Sequence, residues 1–324
     1  MKASKVQTLR GLACLLLVVY HVVGATENQG LRIHDGWLRQ LTEALMALRM
    51  PVFGLLAGAM YGFSKKRGWG LVRNKAARLL WPMLSVGTVF ALVQYVTPGS
   101  NYRIDELQLM HIVPVAHFWF LESLFLIFCI VALAESVLPI TSTRSWCCYF
   151  VLSVLVYLAH PGFIWFSVLG ATYLLPYFLL GLGMTRLQWD ATQQQPKSGL
   201  LRIALGASVV AWLMAQGPEL ERFSPPMLMA GLLLASGFWS LGWRNRLLAR
   251  IGHYSFAIFL FHVFFTSATR MALHAMALDA PFLVLFVSVP VGVMAPAGLQ
   301  HLIARSRTCS TYLMGNAQPQ QAAI

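Results

Sequence analysis

Apolar runs recur along this chain almost from end to end, at lengths that the core of a water-soluble protein does not need. The strongest cover residues 12–23, 52–63, 79–96, 118–138 and 282–299. A hydrocarbon layer of about 30 Å is crossed by about 20 apolar residues in a helix, and several segments reach that length with their flanks. A soluble protein of 324 residues also needs a mixed, charged surface, whereas here 58% of residues are hydrophobic and the 35 charged ones cluster between the runs. Folding in water is excluded. The expected fold class is all-α, a polytopic transmembrane bundle of about ten helices.

The spans fall near 10–27, 41–63, 78–97, 115–138, 146–160, 162–184, 200–216, 226–243, 253–273 and 281–303. Pro161-Gly162 divides the fifth from the sixth, because that pair favours a tight turn. The first run is read as an uncleaved span, since a signal peptide would end in a small-residue cleavage site. Residues 1–310 form one domain, the stretch from Gln188 to Gly199 reads as a polar flexible loop, and residues 311–324 read as a disordered tail.

Charge tests this map. With the amino terminus inside, 18 of the 24 basic residues fall on the inner side, among them Lys2, Lys5, Lys65, Lys66, Arg67, Arg144, Arg186 and Arg250. That bias is the positive-inside rule, and an odd number of missed helices would scramble it. Acidic residues collect opposite: Glu27, Asp35, Glu43, Asp105, Glu106, Glu219, Glu221 and Asp279. A net charge of +13 also suits nucleic acid, but basic residues in short inter-span loops are topology signals, so no nucleic-acid partner is expected. Trp37, Trp69, Trp81, Trp146, Trp189, Trp239 and Trp243 fit an interfacial belt. The five cysteines show neither zinc spacing nor a disulfide framework, and no metal is expected.

Ionisable groups at membrane depth are costly unless paired or hydrated, so each marks a candidate site. On the first helix Arg10 and His21 are eleven residues apart, which returns to within about 20° of one face over about 16 Å. Arg49 precedes Pro51, whose missing N–H kinks a helix and opens room for a polar pocket. Arg49 is a candidate ligand for the acceptor, or a partner for Glu43. The fourth helix opens with His117, Trp119 and Glu122, the last a candidate to orient His21 or His117. The ninth carries His253, Ser255 and His262; nine residues put the two histidines on different faces. Arg73, Lys75 and Arg78, before the third span, could grip phosphates.

These residues resemble a known family. Arg10-Gly11-Leu12-Ala13 followed by Tyr20-His21-Val22 looks like the arginine, ten residues, histidine motif that opens the acyltransferase family 3 membrane proteins, enzymes of bacteria and animals that acylate sugars and other acceptors. Arg49-Met50-Pro51-Val52-Phe53 to Gly58 is similar to the family's second-helix pattern, with Ala57 where serine is common. His117 to Leu121 resembles its fourth-helix segment, and Gly252-His253-Tyr254-Ser255-Phe256 to Leu260-Phe261-His262 its late motif. The family often has two arginines three apart before the third helix. Here they are Lys75 and Arg78, and lysine lacks the planar fork of arginine.

The resemblance implies a stand-alone member in a bacterial inner membrane, both termini cytoplasmic, without the extracytoplasmic domain that some members append. It implies transfer of an acyl group, acetyl first, from cytoplasmic acyl-CoA to a hydroxyl of a glycan or lipid-linked sugar at the outer face. Arg10, Arg73, Lys75 and Arg78 would hold the cofactor. His21 would act as general base, a role that suits an imidazole near pH 7. Glu122 or His117 would fix its tautomer and Arg49 would steady the tetrahedral intermediate, with Ser255, Trp119 and His262 lining the cavity. Membrane lipids are further partners, and a homo-oligomer stays open. A transporter or flippase for a lipid-linked sugar and a non-catalytic scaffold are the competing classes.

Overall fold

The apolar runs of the sequence fold as helices of an all-α bundle, in the order in which they occur along the chain. A computed structural model of the chain describes residues 4–24, 26, 29–33, 36–64, 68–97, 109–113, 115–189, 196–217 and 220–315. Lys2, Glu27, Asp35, Lys65, Lys66, Arg67, Asp105, Glu106, Glu219, most of the loop expected after Gln188 and the tail beyond Gly315 lie outside these residues. The helices are α1 (Lys5–Val23), α2 (Trp37–Ala44), α3 (Met46–Phe63), α4 (Gly68–Val96), α5 (Trp119–Val137), α6 (Thr143–Ala159), α7 (Val168–Arg186), α8 (Pro196–Gln216), α9 (Pro225–Ser240), α10 (Arg246–His253), α11 (Ser255–Ala275), α12 (Pro281–Ile303) and α13 (Arg307–Met314). Among the described residues eight stretches are long and apolar enough to cross a membrane, α2 and α3 counting together as one. The shorter α6 and α9 lie among them and complete the expected order.

Local chemistry sets the boundaries. Ser4, Ser224, Asn245 and Ser306 each cap a helix by accepting a backbone N–H three residues on, and Ser142 with Ser145 forms a capping box at α6. The division at Pro161-Gly162 is present: α6 ends at Ala159 and His160 takes φ 28°. Two elements differ from the sequence reading. The second span is broken at Leu45 into α2 and α3, six residues before Pro51, which sits inside α3. His253 closes a separate amphipathic helix, α10, and α11 starts afresh at Ser255. The last helix, α13, runs four residues into the stretch expected as a tail.

Helices pack here through backbone contact, since lipid gives apolar faces no reason to leave it. Gly54, Gly58 and Gly62 stripe α3 at every fourth residue, and α3 lies along α7. A side chain on Gly58 would strike the Phe178 carbonyl, and one on Gly181 the Leu55 carbonyl. In the same half of the bundle Arg186 pairs with Glu135, both buried, while Tyr61 Oη donates to Glu135 Oε2 at 2.7 Å. Arg186, counted above as a loop charge, is therefore also a tie between α7 and α5. Trp37, Trp69, Trp81 and Trp243 are exposed as a lipid belt requires. Trp146 and Trp239 are not: Trp146 Nε1 donates to Leu179 O at 2.7 Å, and Lys5 Nζ sits 4.0 Å above the Trp239 ring.

Candidate active site

α1 runs through the middle of the bundle, against α3, α10, α11 and α12. Its glycine makes one of these contacts possible. A Cβ on Gly11 would fall on the Leu248 carbonyl and one on Gly252 on the Gln7 carbonyl, so the two backbones touch. This close crossing brings Arg10 and His253 to one pocket, and it explains why arginine is followed by glycine in the first motif.

One helical face carries Arg10 at one level and His21 three turns further on. Around His21 two more imidazoles gather. Its ring centroid is 5.0 Å from that of His262 on α11 and 5.8 Å from that of His117, and the last two are 4.9 Å apart. His117 reaches this position from a 3₁₀ turn, Ala116–Phe118, in which Ala116 takes φ 46°. Such a backbone is held only where its surroundings over-determine it, as at many functional sites.

The hydrogen bonds assign one tautomer. His262 Nδ1 lies 2.8 Å from Ile258 O and 3.0 Å from Phe259 O, and a carbonyl can only accept, so Nδ1 carries the proton. Nε2 of His262 is then a lone-pair acceptor, and it has no partner among the described residues. Both ring nitrogens of His117 are buried and likewise without one. Buried polar atoms are nearly always satisfied, so unsatisfied imidazole nitrogens at the meeting point of three helices mark a place where a further molecule belongs.

Two cavities open at opposite ends of the bundle, and none of the three imidazoles lines either one. The first, about 260 Å³, opens at the end where α1 begins and is lined by Arg10, Lys75, Arg78, His253 and Ser255 at its polar rim. Its inner wall is aromatic: Phe53, Phe120 and Phe259, with centroids 5.5 Å and 5.3 Å apart in succession. Phe259 in turn stands 5.3 Å from His117. The second, about 680 Å³, opens where α1 ends, between the ends of α4 and α11 and the start of α12. Its wall includes Phe90, whose ring centroid is 5.5 Å from that of His117.

The remaining candidates sort by position. Lys75 lies 4.2 Å over the Phe128 ring at the first cavity, but Arg73 is exposed and does not line it. Spacing is the reason: residues three apart share a helix face, whereas two steps turn through about 200°. Arg49 is buried and stacks 3.7 Å over the Tyr20 ring, beside His21 in sequence, with no ion pair to Glu43 among the described residues. Its Nε and Nη1 have no hydrogen-bond partner there. Glu122 stands apart from the imidazoles, its Oε2 accepting from Ser167 Oγ at 2.5 Å, and so orients neither His21 nor His117. Trp119 packs on Gly170 and Phe120 and lines neither cavity. Among the described residues no cluster of histidine, cysteine or carboxylate has the arrangement to hold a metal.

Sequence reading missed the aromatic walls and a pair of arginines, Arg32 and Arg270, in the second cavity. Arg270 carried a signal, a cation inside an apolar helix. No curated protein and no solved structure matches the chain. The family model described as the acyltransferase domain matches residues 4–299, which takes in every candidate site residue named from the sequence. With that match over nearly the whole bundle, the chain belongs to the acyltransferase 3 family of membrane-bound transferases.

Proposed function

We propose that this acyltransferase moves an acyl group, acetyl first, from a coenzyme A thioester bound in the first cavity to a sugar hydroxyl presented in the second. The observation that supports this reading is that the two cavities open at opposite ends of the bundle, and that Phe259 from the first lining and Phe90 from the second both pack on His117 of one histidine cluster. Basic side chains at the first rim suit phosphates, and the narrow aromatic neck suits an extended thioester arm rather than the whole coenzyme. The positive-inside bias supports reading that rim as cytoplasmic and the second cavity as extracytoplasmic, with both termini inside; the membrane proposed is a bacterial inner membrane.

In this reading His21 accepts the proton as the sugar oxygen attacks the thioester carbonyl, and coenzyme A leaves as the thiol. His262, its Nδ1–H tied to backbone carbonyls, keeps an acceptor nitrogen beside His21. Arg49 reaches the same level from α3 and is the donor suited to charge that develops on the carbonyl oxygen. The family match sets aside the transporter and scaffold readings.

Mass spectrometry of envelope glycans from cells with the gene, without it and with His21→Ala tests the proposal. Loss of one discrete acyl mass in both altered strains is the expected result and names the donor group. Unchanged acylation in the deletion strain contradicts it.

A further inference from the structure

The family-matched part of the chain ends at residue 299, but the wall of the first cavity continues past it. Gln300, from the last turn of α12, and Met314, from the end of α13, both line that cavity. α13 is eight residues long, too short to cross a membrane, and lies wholly beyond the family domain. Its ends are well defined. Ser306 Oγ accepts from Cys309 N at 3.3 Å, and Gly315 closes the helix at φ 57° with its N–H on Ser310 O.

Three successive turns of α4 receive this helix. A Cβ on Gly315 would stand 2.5 Å from Ala77 O and 2.6 Å from Arg78 Cα, so the glycine lets the end of α13 lie directly on the α4 backbone. Four residues further along α4, Trp81 meets Tyr312 edge to face at 5.5 Å. Another four on, Ser85 Oγ lies 2.6 Å from Tyr312 O. Ala77, Trp81 and Ser85 make one stripe of α4, while Lys75, Arg78 and Leu79 line the cavity from the adjoining face. Along its length α4 packs chiefly against α5 and α13. The tilt and rotation of a membrane helix are set by its neighbours, so these two contacts decide where Lys75 and Arg78 point.

We propose that α13 is a positioning element of the donor site: docked on α4, it fixes the rotation at which Lys75 and Arg78 meet the phosphates of the coenzyme A thioester. This rests on reading the first cavity as the donor side. Charge-assisted contacts to phosphate depend on direction, so a small turn of α4 loosens them and leaves the thioester arm in its aromatic neck.

The test is equilibrium binding to the full chain in nanodiscs of two thioesters, acetyl-CoA and S-acetylpantetheine, which shares the arm but has no phosphate or nucleotide. Gly315→Val forces a side chain against the α4 backbone at a φ that valine does not adopt, and so undocks α13. It should weaken acetyl-CoA binding at least about fivefold and S-acetylpantetheine binding less than about twofold. Tyr312 is half exposed, outside the core, and reads the same contact should the valine variant not insert. Tyr312→Ala should give a smaller loss confined to acetyl-CoA, and Tyr312→Phe should bind as the wild type does. With Lys75 and Arg78 both replaced by alanine, Gly315→Val should add less than about twofold, because the contacts it positions are already gone. Equal weakening of both thioesters, weakening of neither, or an undiminished effect without Lys75 and Arg78 overturns the proposal and leaves the donor reading intact. A wild type that binds acetyl-CoA no better than S-acetylpantetheine would remove the donor reading itself, and the proposal with it.

Discussion

The cavity at the start of α1 and the cavity at its end have no lining residue in common and differ in size and chemistry. The one at the start of α1 is small, with a rim of Arg10, Lys75 and Arg78 and a neck of phenylalanines, while the one at the end of α1 is wider and mixes arginine, amide and hydroxyl groups. A narrow apolar neck suits a ligand of constant shape, and a roomy polar vestibule one that varies. His117 meets both Phe259 of the first lining and Phe90 of the second edge to face, so one aromatic ring stands between each cavity and the histidines. The proposed reaction, which joins two unlike substrates from the two sides of a membrane, calls for this asymmetry.

Breaking the junction should have the largest effect. A general base contributes about 10²- to 10⁴-fold, so His21→Ala should lower kcat by at least about 100-fold while acetyl-CoA still binds. Turnover within a few-fold of wild type would mean that the proton goes elsewhere. Replacing both Lys75 and Arg78 by alanine should raise KM for acetyl-CoA about tenfold or more and leave the acceptor's KM unchanged, since each charge-assisted contact is worth about 1.5–3 kcal/mol. A change in the acceptor's KM instead would show that the two cavities are not separate sites.

Smaller effects sharpen the contrast. Phe259→Ala should widen the neck and shift the ratio of butyryl-CoA to acetyl-CoA turnover several-fold towards the longer chain, within the roughly 10- to 200-fold that one methylene can command. If the ratio does not move, the aromatic neck does not set acyl length. Arg73→Ala should change KM for acetyl-CoA by less than about twofold, because a solvated surface charge is worth about 0–1 kcal/mol.

Much of this was legible in the sequence because membranes force one rule on every span: backbone polar groups must be satisfied within the helix. Run length therefore gave the spans, and the turn at Pro161-Gly162 separated α6 from α7. The face shared by Arg10 and His21 follows from helical period alone. Other features depend on which helix meets which, and no local pattern carries that. Glu122 was read as a partner for a histidine, but Ser167, 45 residues on, takes its carboxylate. The gathering of His21, His117 and His262 needs three segments to converge, and after the Leu45 break α2 packs on α1, α3 and α8, while the separate α10 lies along α1. Trp146 and Trp239 show the same limit, since a tryptophan near a helix end can face lipid or protein with equal ease.

The sidedness of transfer tests the central claim most directly. Inside-out vesicles carrying the wild-type protein or His21→Ala would receive labelled acetyl-CoA only in the external medium, the side of α1's first turn, with the host's envelope glycan precursors enclosed. Label on the enclosed glycan with the wild type, and none with His21→Ala although the variant binds acetyl-CoA equally, is the predicted result. Label that appears only when acetyl-CoA is enclosed with the glycan, or that the variant delivers at the wild-type rate, would contradict a reaction in which two cavities meet at this histidine cluster.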